Sequence, residues 1–467
     1  MTQKNQLLLA YYGDDFTGST DALEFLNRYG IKTVLFLKPP TAEQLNNYKG
    51  LQAIGIAGFT RSMPPGDMEA ILLPAFNILK SLGAPHVHYK VCSTFDSSAT
   101  IGSIGKAIDV GWKVFNKPFI PLLVAAPALG RYCLFGNLFA KLGIGSQGQV
   151  YRLDRHPSMS RHPVTPADES DLRVHLSKQT NKKTGLLDVL KLNQSFEQAQ
   201  LELRHIIEDG NEVVLIDGMD EAHLTQAGQL IDSYASSDNP LFSVGSSGIE
   251  MALGNYWKNQ QKLAGEVEWP DVDAVESILV ISGSCSPVTS KQINTAINND
   301  FASIAIDTAT LASCNNIKEL IEQYINEASA CIKQGKSVII HTSLGADDVR
   351  INDTQQVLAK KGLDKQAMLS YTAQLYGNTL GLIANGILMK TPVRRMVIAG
   401  GDTSSFAARA LEIEAVEMIA PLWPGAPLCK VHAPGKPAHN LEVNIKGGQV
   451  GDDNYFLTVL KGKHYEL

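Results

Sequence analysis

The sequence predicts an α/β protein of two domains, each a mostly parallel sheet with flanking helices. Short apolar runs alternate with helix-patterned stretches from Leu7 onward, which is the rhythm of βαβ units. The runs start afresh after a polar stretch past the middle of the chain. A length of 467 residues also exceeds the size at which one hydrophobic core keeps growing. The expected domains are 1–264 and 275–467.

The first strand is read at Leu7–Tyr12, and it ends in Gly13-Asp14-Asp15-Phe16-Thr17-Gly18-Ser19-Thr20-Asp21. A helix then follows over Ala22–Tyr29. Ligands of open α/β sheets bind at the carboxyl ends of the strands, where this turn falls. One such polar residue suffices to cap a helix, and here there are several in succession. The next strands are expected at Lys32–Leu37, Leu51–Ala57, His86–Cys92 and Phe119–Ala126. Gly185–Leu190 and Glu212–Ile216 continue the series, and Ile104–Phe115, Leu134–Leu142 and Gln194–Glu208 read as helices. Arg152–Pro163 breaks the pattern with arginines, histidines and prolines. Its composition suits an ordered loop facing an anion and a solvated excursion equally well.

Lys258–Asp273, with Gly265 and Pro270, is the linker candidate. A second series begins at Ser277–Ser282 and continues with Ser303–Ile306, Ser337–His341 and Met396–Ala399. Three of these strands end in small polar turns: Ser282–Ser286, His341–Gly345 and Gly400–Ser404. Such turns, with helix N-termini behind them, offer backbone N–H groups to phosphate.

A net charge of −6 argues against nucleic acid or an anionic membrane as the main partner. No stretch approaches the roughly 18 apolar residues of a membrane span, and the opening apolar run is too short for a secretory signal. The six cysteines are scattered without a CxxC pair, as expected of reduced thiols in the cytoplasm. Several motifs fail on context. Gly143–Gly148 fits G-x-G-x-x-G but does not follow a strand. The Walker A pattern is absent, and Gly245-Ser246-Ser247-Gly248 is one residue short of a nucleophile elbow. His86 and His88 share a strand face without a third ligand and read as core or edge residues.

Two further strand ends add to the opening turn. Thr60-Arg61-Ser62 follows the third strand, and Lys90 with Ser93, Thr94 and Asp96 follows the fourth. Arg61 and Lys90 would take an anionic group, and Asp14, Asp15 and Asp96, with Thr17, would meet hydroxyls. That set suits a small hydroxy-acid; salt bridging within the sheet is the plainer alternative.

Gly13-Asp14-Asp15-Phe16-Thr17-Gly18 with Asp21, the Tyr89–Ser97 stretch and Gly400-Gly401-Asp402-Thr403 together resemble the four-carbon acid sugar kinase family. The resemblance covers nearly the whole chain. It implies an N-terminal domain for the sugar acid, a C-terminal domain for ATP, and a product phosphorylated on its terminal hydroxyl. By resemblance, Ser284, Gly400, Gly401, Asp402, Thr403 and Gly448 map to ATP contacts, and the aspartates and Lys90 to the acid. Lys90-Val91-Cys92-Ser93-Thr94-Phe95-Asp96 departs from the family's commoner form toward the branch acting on 3-oxo acid sugars. Lys446-Gly447-Gly448-Gln449-Val450-Gly451 departs from Lys-Ser-Gly-Asn-Phe-Gly.

The resulting expectation is an ATP-dependent kinase with Mg²⁺ bridging the phosphates and one of Asp14, Asp15 or Asp96 as base. Closure about the linker would exclude water. The acceptor stays open among threonate, erythronate, 3-oxo-tetronate and 3-oxo-isoapionate. A non-kinase sugar-acid enzyme (an aldolase, isomerase or dehydratase) and an intracellular sugar-acid binding protein are the alternatives. The first leaves the three glycine turns idle; against the second, no signal peptide suggests a periplasmic receptor and no helix-turn-helix supports a regulator. Partners are limited to the acid and the nucleotide, and a homo-oligomer is allowed.

Overall fold

The computed structural model describes residues 7–142, 148–162, 164–263, 267–314 and 316–462, with the side chains of Gln366 and Asp402 outside that set. The chain forms two compact units, the first ending at Glu268 and the second starting at Trp269.

The strands of the first unit are β1 (Leu9–Gly13), β2 (Thr33–Phe36), β3 (Ala53–Ala57), β4 (His86–Lys90), β5 (Ile120–Leu123), β6 (Arg131–Leu134), β7 (Asn137–Lys141), β8 (Val150–Arg152), β9 (Thr184–Leu187), β10 (Val213–Ile216) and β11 (Leu241–Gly245). Eight of them form a parallel sheet in the order β2-β3-β1-β4-β11-β5-β10-β9. Strands buried on both faces read as continuous apolar runs, and Leu9-Ala10-Tyr11-Tyr12 and Ala53-Ile54-Gly55-Ile56 are buried throughout. One face is closed by an aromatic cluster in which Phe242 lies 4.9 Å from Phe115 and 5.0 Å from Phe76. On the helix Phe16–Arg28, Asp15 caps the start, and Tyr29 just past its end donates to Asn255 Oδ1 of the helix Gly248–Asn259 at 2.7 Å.

Residues 134–142 are not the helix their composition suggests. They belong to an antiparallel hairpin of β6 and β7, with β8 alongside. The turn Phe135-Gly136 has φ of 50° and 81°, and two successive positive φ values are what a two-residue hairpin turn requires. The buried Asp217 carboxylate holds that turn by accepting the N–H groups of Phe135 at 2.5 Å and Gly136 at 3.0 Å. A tertiary contact from a distant strand end thus overrides the local pattern. Strand β11, in the middle of the sheet, is a second element absent from the expected list.

The second unit contains β12 (Ile278–Ser282), β13 (Ala302–Ala305), β14 (Val338–His341), β15 (Arg395–Ala399), β16 (Ala415–Trp423), β17 (Ala426–His432) and β18 (Glu442–Lys446). Their order is β13-β14-β12-β15-β18-β17-β16, parallel from β13 to β18 and antiparallel for the last two pairs. Strands β16 to β18 go beyond the sequence expectation. Ile278, Val280, Ile339, Val397, Leu428 and Tyr455 belong to one buried cluster beneath it.

The stretch proposed as a linker begins inside the helix Gly248–Asn259, and regular structure is absent over 267–277. Gly265 and most of the Gly143–Gly148 motif lie outside the described residues. Among the described residues no helix is long and apolar enough to cross a membrane. All six cysteines are free thiols.

Candidate active site

In the first unit β1 lies between β3 and β4, so the chain switches direction there and leaves a crevice at the strand ends. The turns after these three adjacent strands carry Asp14, Asp15 and Thr17, then Arg61, then Lys90 to Asp96. Backbone bonds set them side by side: the Asp14 N–H donates to Lys90 O at 2.9 Å, and Arg61 N–H donates to Asp14 O at 3.1 Å.

The two neighbouring aspartates are treated differently. Asp15 is the N-cap of the helix Phe16–Arg28, accepting Gly18 N–H at 2.7 Å. It also accepts the Thr17 hydroxyl and pairs with Arg61 Nη2 at 2.6 Å. Asp14 is buried, and its Oδ1 has no hydrogen-bond partner among the described residues. Burial pushes the Asp14 carboxyl up to about 7; Asp15 adds to the rise, while Arg61 and Lys90 oppose it. Asp96 raises Asp14 slightly, so the structure brings these three carboxylates into one field.

Lys90 is fully buried below the turn, with its ammonium donating to Val91 O at 3.0 Å and pairing with Asp21 at 3.1 Å. Burial alone would lower Lys90, but Asp21, Glu250, Cys92 and Asp14 more than offset it and hold the ammonium charged. Glu250, on the helix after β11, is buried with neither carboxylate oxygen in a side-chain hydrogen bond to another described residue, and burial pushes it up to about 8. His88 lies 3.7 Å from Glu250, and burial drops it to about 3, so the ring is neutral. Sequence reasoning did not include Glu250. The signal available was an apolar run, Leu241–Val244, ending in the polar turn Gly245-Ser246-Ser247-Gly248.

Ser93 and Thr94 are nearly buried in the turn after β4, where Thr94 Oγ1 lies 3.0 Å from Cys92 Sγ. A small cavity lined by Thr94, Asp96, Ser97, Thr165, Glu169 and His175 adjoins them. The basic loop is ordered, but much of its charge serves the loop itself. Arg152 clasps Asp154 with two bonds of 2.7 and 2.6 Å. His156 Nδ1 accepts the N–H groups of Ser158 and Met159, and His162 Nδ1 accepts that of Thr165. Arg155 and Arg161 stay exposed, and Pro163 lies outside the described residues.

The second unit repeats the logic, with β12 between β14 and β15. N–H groups just past the strands extend the ladder and hold the strand ends level. Thr342 donates to Ser282 O, Gly283 to Ala399 O and Gly400 to Lys446 O, each at 3.0 Å. Gly400 has φ of +141°, and a Cβ there would come within 2.4 Å of Thr403 Oγ1. Gly401 then caps the helix Asp402–Ala410 and so opens its N-terminus beside Ser284 and Gly448. Ser284, Thr403 and the backbone of Gly400, Gly401 and Gly448 therefore gather at one sheet edge. Asp402 begins that helix, and its side chain lies outside the described residues. The arrangement, backbone N–H groups and hydroxyls at a helix start, suits a phosphate chain.

Comparisons with known proteins agree with this division. Residues 9–253 match the model of a sugar-binding N-terminal domain, and residues 279–456 that of a nucleotide-binding C-terminal domain. The chain is 39% identical over 458 residues to a 3-oxo-isoapionate kinase of Paraburkholderia graminis, covering 98% of this chain and 95% of that one. It is 29% identical to a 3-oxo-tetronate kinase of Pseudomonas savastanoi pv. phaseolicola, covering 97% of each. Among solved structures, a Salmonella typhimurium LT2 protein described as a tRNA synthase superposes with a TM-score of 0.70 at 25% identity, over 96% of this chain and 98% of that one.

Proposed function

We infer, for a chain that belongs to the four-carbon acid sugar kinase family, that its reaction is the ATP-dependent phosphorylation of a 3-oxo sugar acid of the isoapionate type. The 39% identity to a 3-oxo-isoapionate kinase favours that acid over 3-oxo-tetronate, two of whose kinases are 29% and 28% identical. The acceptor lies at the carboxyl end of β1, β3 and β4. Among the described residues two of the three Lys90 donors are met, by Val91 O and Asp21, and the third would meet the substrate's carboxylate or keto oxygen. Ser93 and Thr94 supply hydroxyls to its polar edge.

Asp14 is the base. The observation that carries this is its buried Oδ1, which has no partner and sits beside a carboxylate already committed to a helix cap. A general base works best with a pKa near the operating pH, and Asp14 is pushed up to about 7. Asp15 holds Arg61 and the helix start in place, so it positions the site. The Ser284, Gly400–Thr403 and Gly448 turns hold the donor phosphates.

Mg²⁺ fits as a companion of the nucleotide. Among the described residues no three His, Cys, Asp or Glu side chains gather to hold a resident ion, and Mg²⁺ commonly takes one or two carboxylates together with substrate phosphates. Bound with the nucleotide at the Ser284, Gly400–Thr403 and Gly448 turns, it would supply charge neutralisation for the transferred phosphoryl group. The reading places the enzyme in the cytoplasm, where ATP is available.

The test is Asp14→Asn assayed for ADP release with 3-oxo-isoapionate. Turnover falls about 100-fold or more, the lower range for losing a general base, while ADP binding persists. Unchanged turnover would remove Asp14 from the role.

A further inference from the structure

Thr289, on the first turn of the helix Pro287–Ile297, is completely buried and joins three segments of the second unit. Its hydroxyl donates to Gly448 O at 3.0 Å. It accepts from Ser284 Oγ at 3.1 Å and from Lys446 Nζ at 3.0 Å. One proton and two lone pairs are thereby used in full. Ser284 Oγ in turn accepts the Ser286 N–H at 3.2 Å. The knot ties the turn after β12 to the turn after β18, and a Cβ on Gly448 would come within 2.9 Å of Ser284 Oγ. The approach is that close because the knot draws the two turns together.

Lys446 is the unusual member. It is fully buried at the end of β18. Among the described residues its ammonium meets one oxygen, that of Thr289, and the Tyr455 ring at 5.5 Å. Among the described residues no charged group from the helices or strands packed around it compensates the burial, which lowers Lys446 to about 7. A buried ammonium without a counter-ion costs stability that an apolar side chain of the same length would not. Such a group is matched when an anion arrives at the turns it supports.

We propose that Lys446 is a positioning residue of the nucleotide site, which fixes the Ser284 and Gly448 turns through Thr289 and supplies the positive charge behind them when the donor's phosphate chain is seated. The proposal rests on the reading of these turns as the phosphate site. It assigns Lys446 no contact with the nucleotide. Binding of a polyphosphate favours the charged ammonium, so at pH 8 the free protein gains a proton on Lys446 as the ligand binds.

The test is titration calorimetry of the full-length chain at pH 8 with ADP and with adenosine, in two buffers of different ionisation enthalpy. The wild type is expected to bind ADP with net proton uptake. Lys446→Met weakens ADP about tenfold, the size of one charge-assisted hydrogen bond, leaves adenosine unchanged and abolishes the uptake. Lys446→Arg, always charged, restores ADP affinity without restoring the uptake. Equal weakening of adenosine and ADP would mean a merely structural lysine and would overturn the proposal, as would unaltered ADP binding in Lys446→Met. The wild-type uptake needs no variant, so its absence contradicts the proposal even where Lys446→Met fails to fold. Wild-type protein that binds no ADP at all would instead overturn the phosphate-site reading beneath it.

Discussion

Asp14 and Asp15 stand next to each other, yet their carboxylates meet different surroundings. Asp15 is held by Arg61, Thr17 and the helix N–H of Gly18, whereas Asp14 is buried with one bare oxygen. With Asp14 at about 7, the proposed base must lose its proton before it can act, so kcat should climb from pH 6 to pH 8. That limb disappears from the pH–rate profile of Asp14→Asn. Glu250 supports the same cluster from behind Lys90. Its folded pKa of about 8 exceeds its ordinary value, so the folded protein retains a proton that the unfolded chain has lost. The resulting stability is present below the ordinary carboxylate range and falls as pH rises through about 8. Glu250→Gln, which mimics the protonated acid, should flatten that fall in urea unfolding measured between pH 6 and pH 8.5. An equally steep fall in the variant would place the proton elsewhere. The sequence made the acidic turn, Arg61 and Lys90 legible because each follows an apolar run directly. It could not reveal which aspartate pairs with Arg61, since that depends on Arg61 reaching across from the turn after β3. Nor could it reveal Glu250, Thr289 or Lys446, whose partners are far away in the chain.

At the scale of elements, the helix Phe16–Arg28 and the helix Asp402–Ala410 each start at a site and depend on what begins them. Asp15→Ala removes the cap of the first, so urea unfolding should show a loss of about 1–2 kcal/mol, while Asp15→Asn keeps most of it. In the second, Gly400→Ala places a Cβ against Thr403 at a backbone angle that L-residues rarely adopt. ADP affinity measured by calorimetry should drop by about tenfold or more, the effect of about 1.4 kcal/mol of local strain. Affinity equal to that of the wild type would show that this turn does not face the nucleotide. Helices with regular apolar spacing and most strands of the parallel core were readable from period and length, β11 being the exception in the first unit. The hairpin at 131–141 was not, because Asp217 and two positive φ angles decide it rather than local propensity.

For the whole molecule, a fresh start of the βα series after residue 274 was the visible sign of a second unit, and the antiparallel strands β16 to β18 were hidden by their mixed composition. Each unit has its own switch point, at β1 and at β12, and in the proposed reaction each switch point carries one half of the chemistry. The acid should therefore slow hydrogen exchange in the turns after β1, β3 and β4, and ADP in those after β12, β15 and β18. Either ligand at a hundred times its Kd stabilises by about 2.7 kcal/mol. The central claim is tested most directly by an ADP-release assay of the full chain with ATP and Mg²⁺, run over 3-oxo-isoapionate, 3-oxo-tetronate, threonate and erythronate. The account predicts acid-dependent ADP release with the highest kcat/KM for 3-oxo-isoapionate, lost in Asp14→Asn. ADP release indifferent to every acid, or greatest with threonate or erythronate, would contradict it.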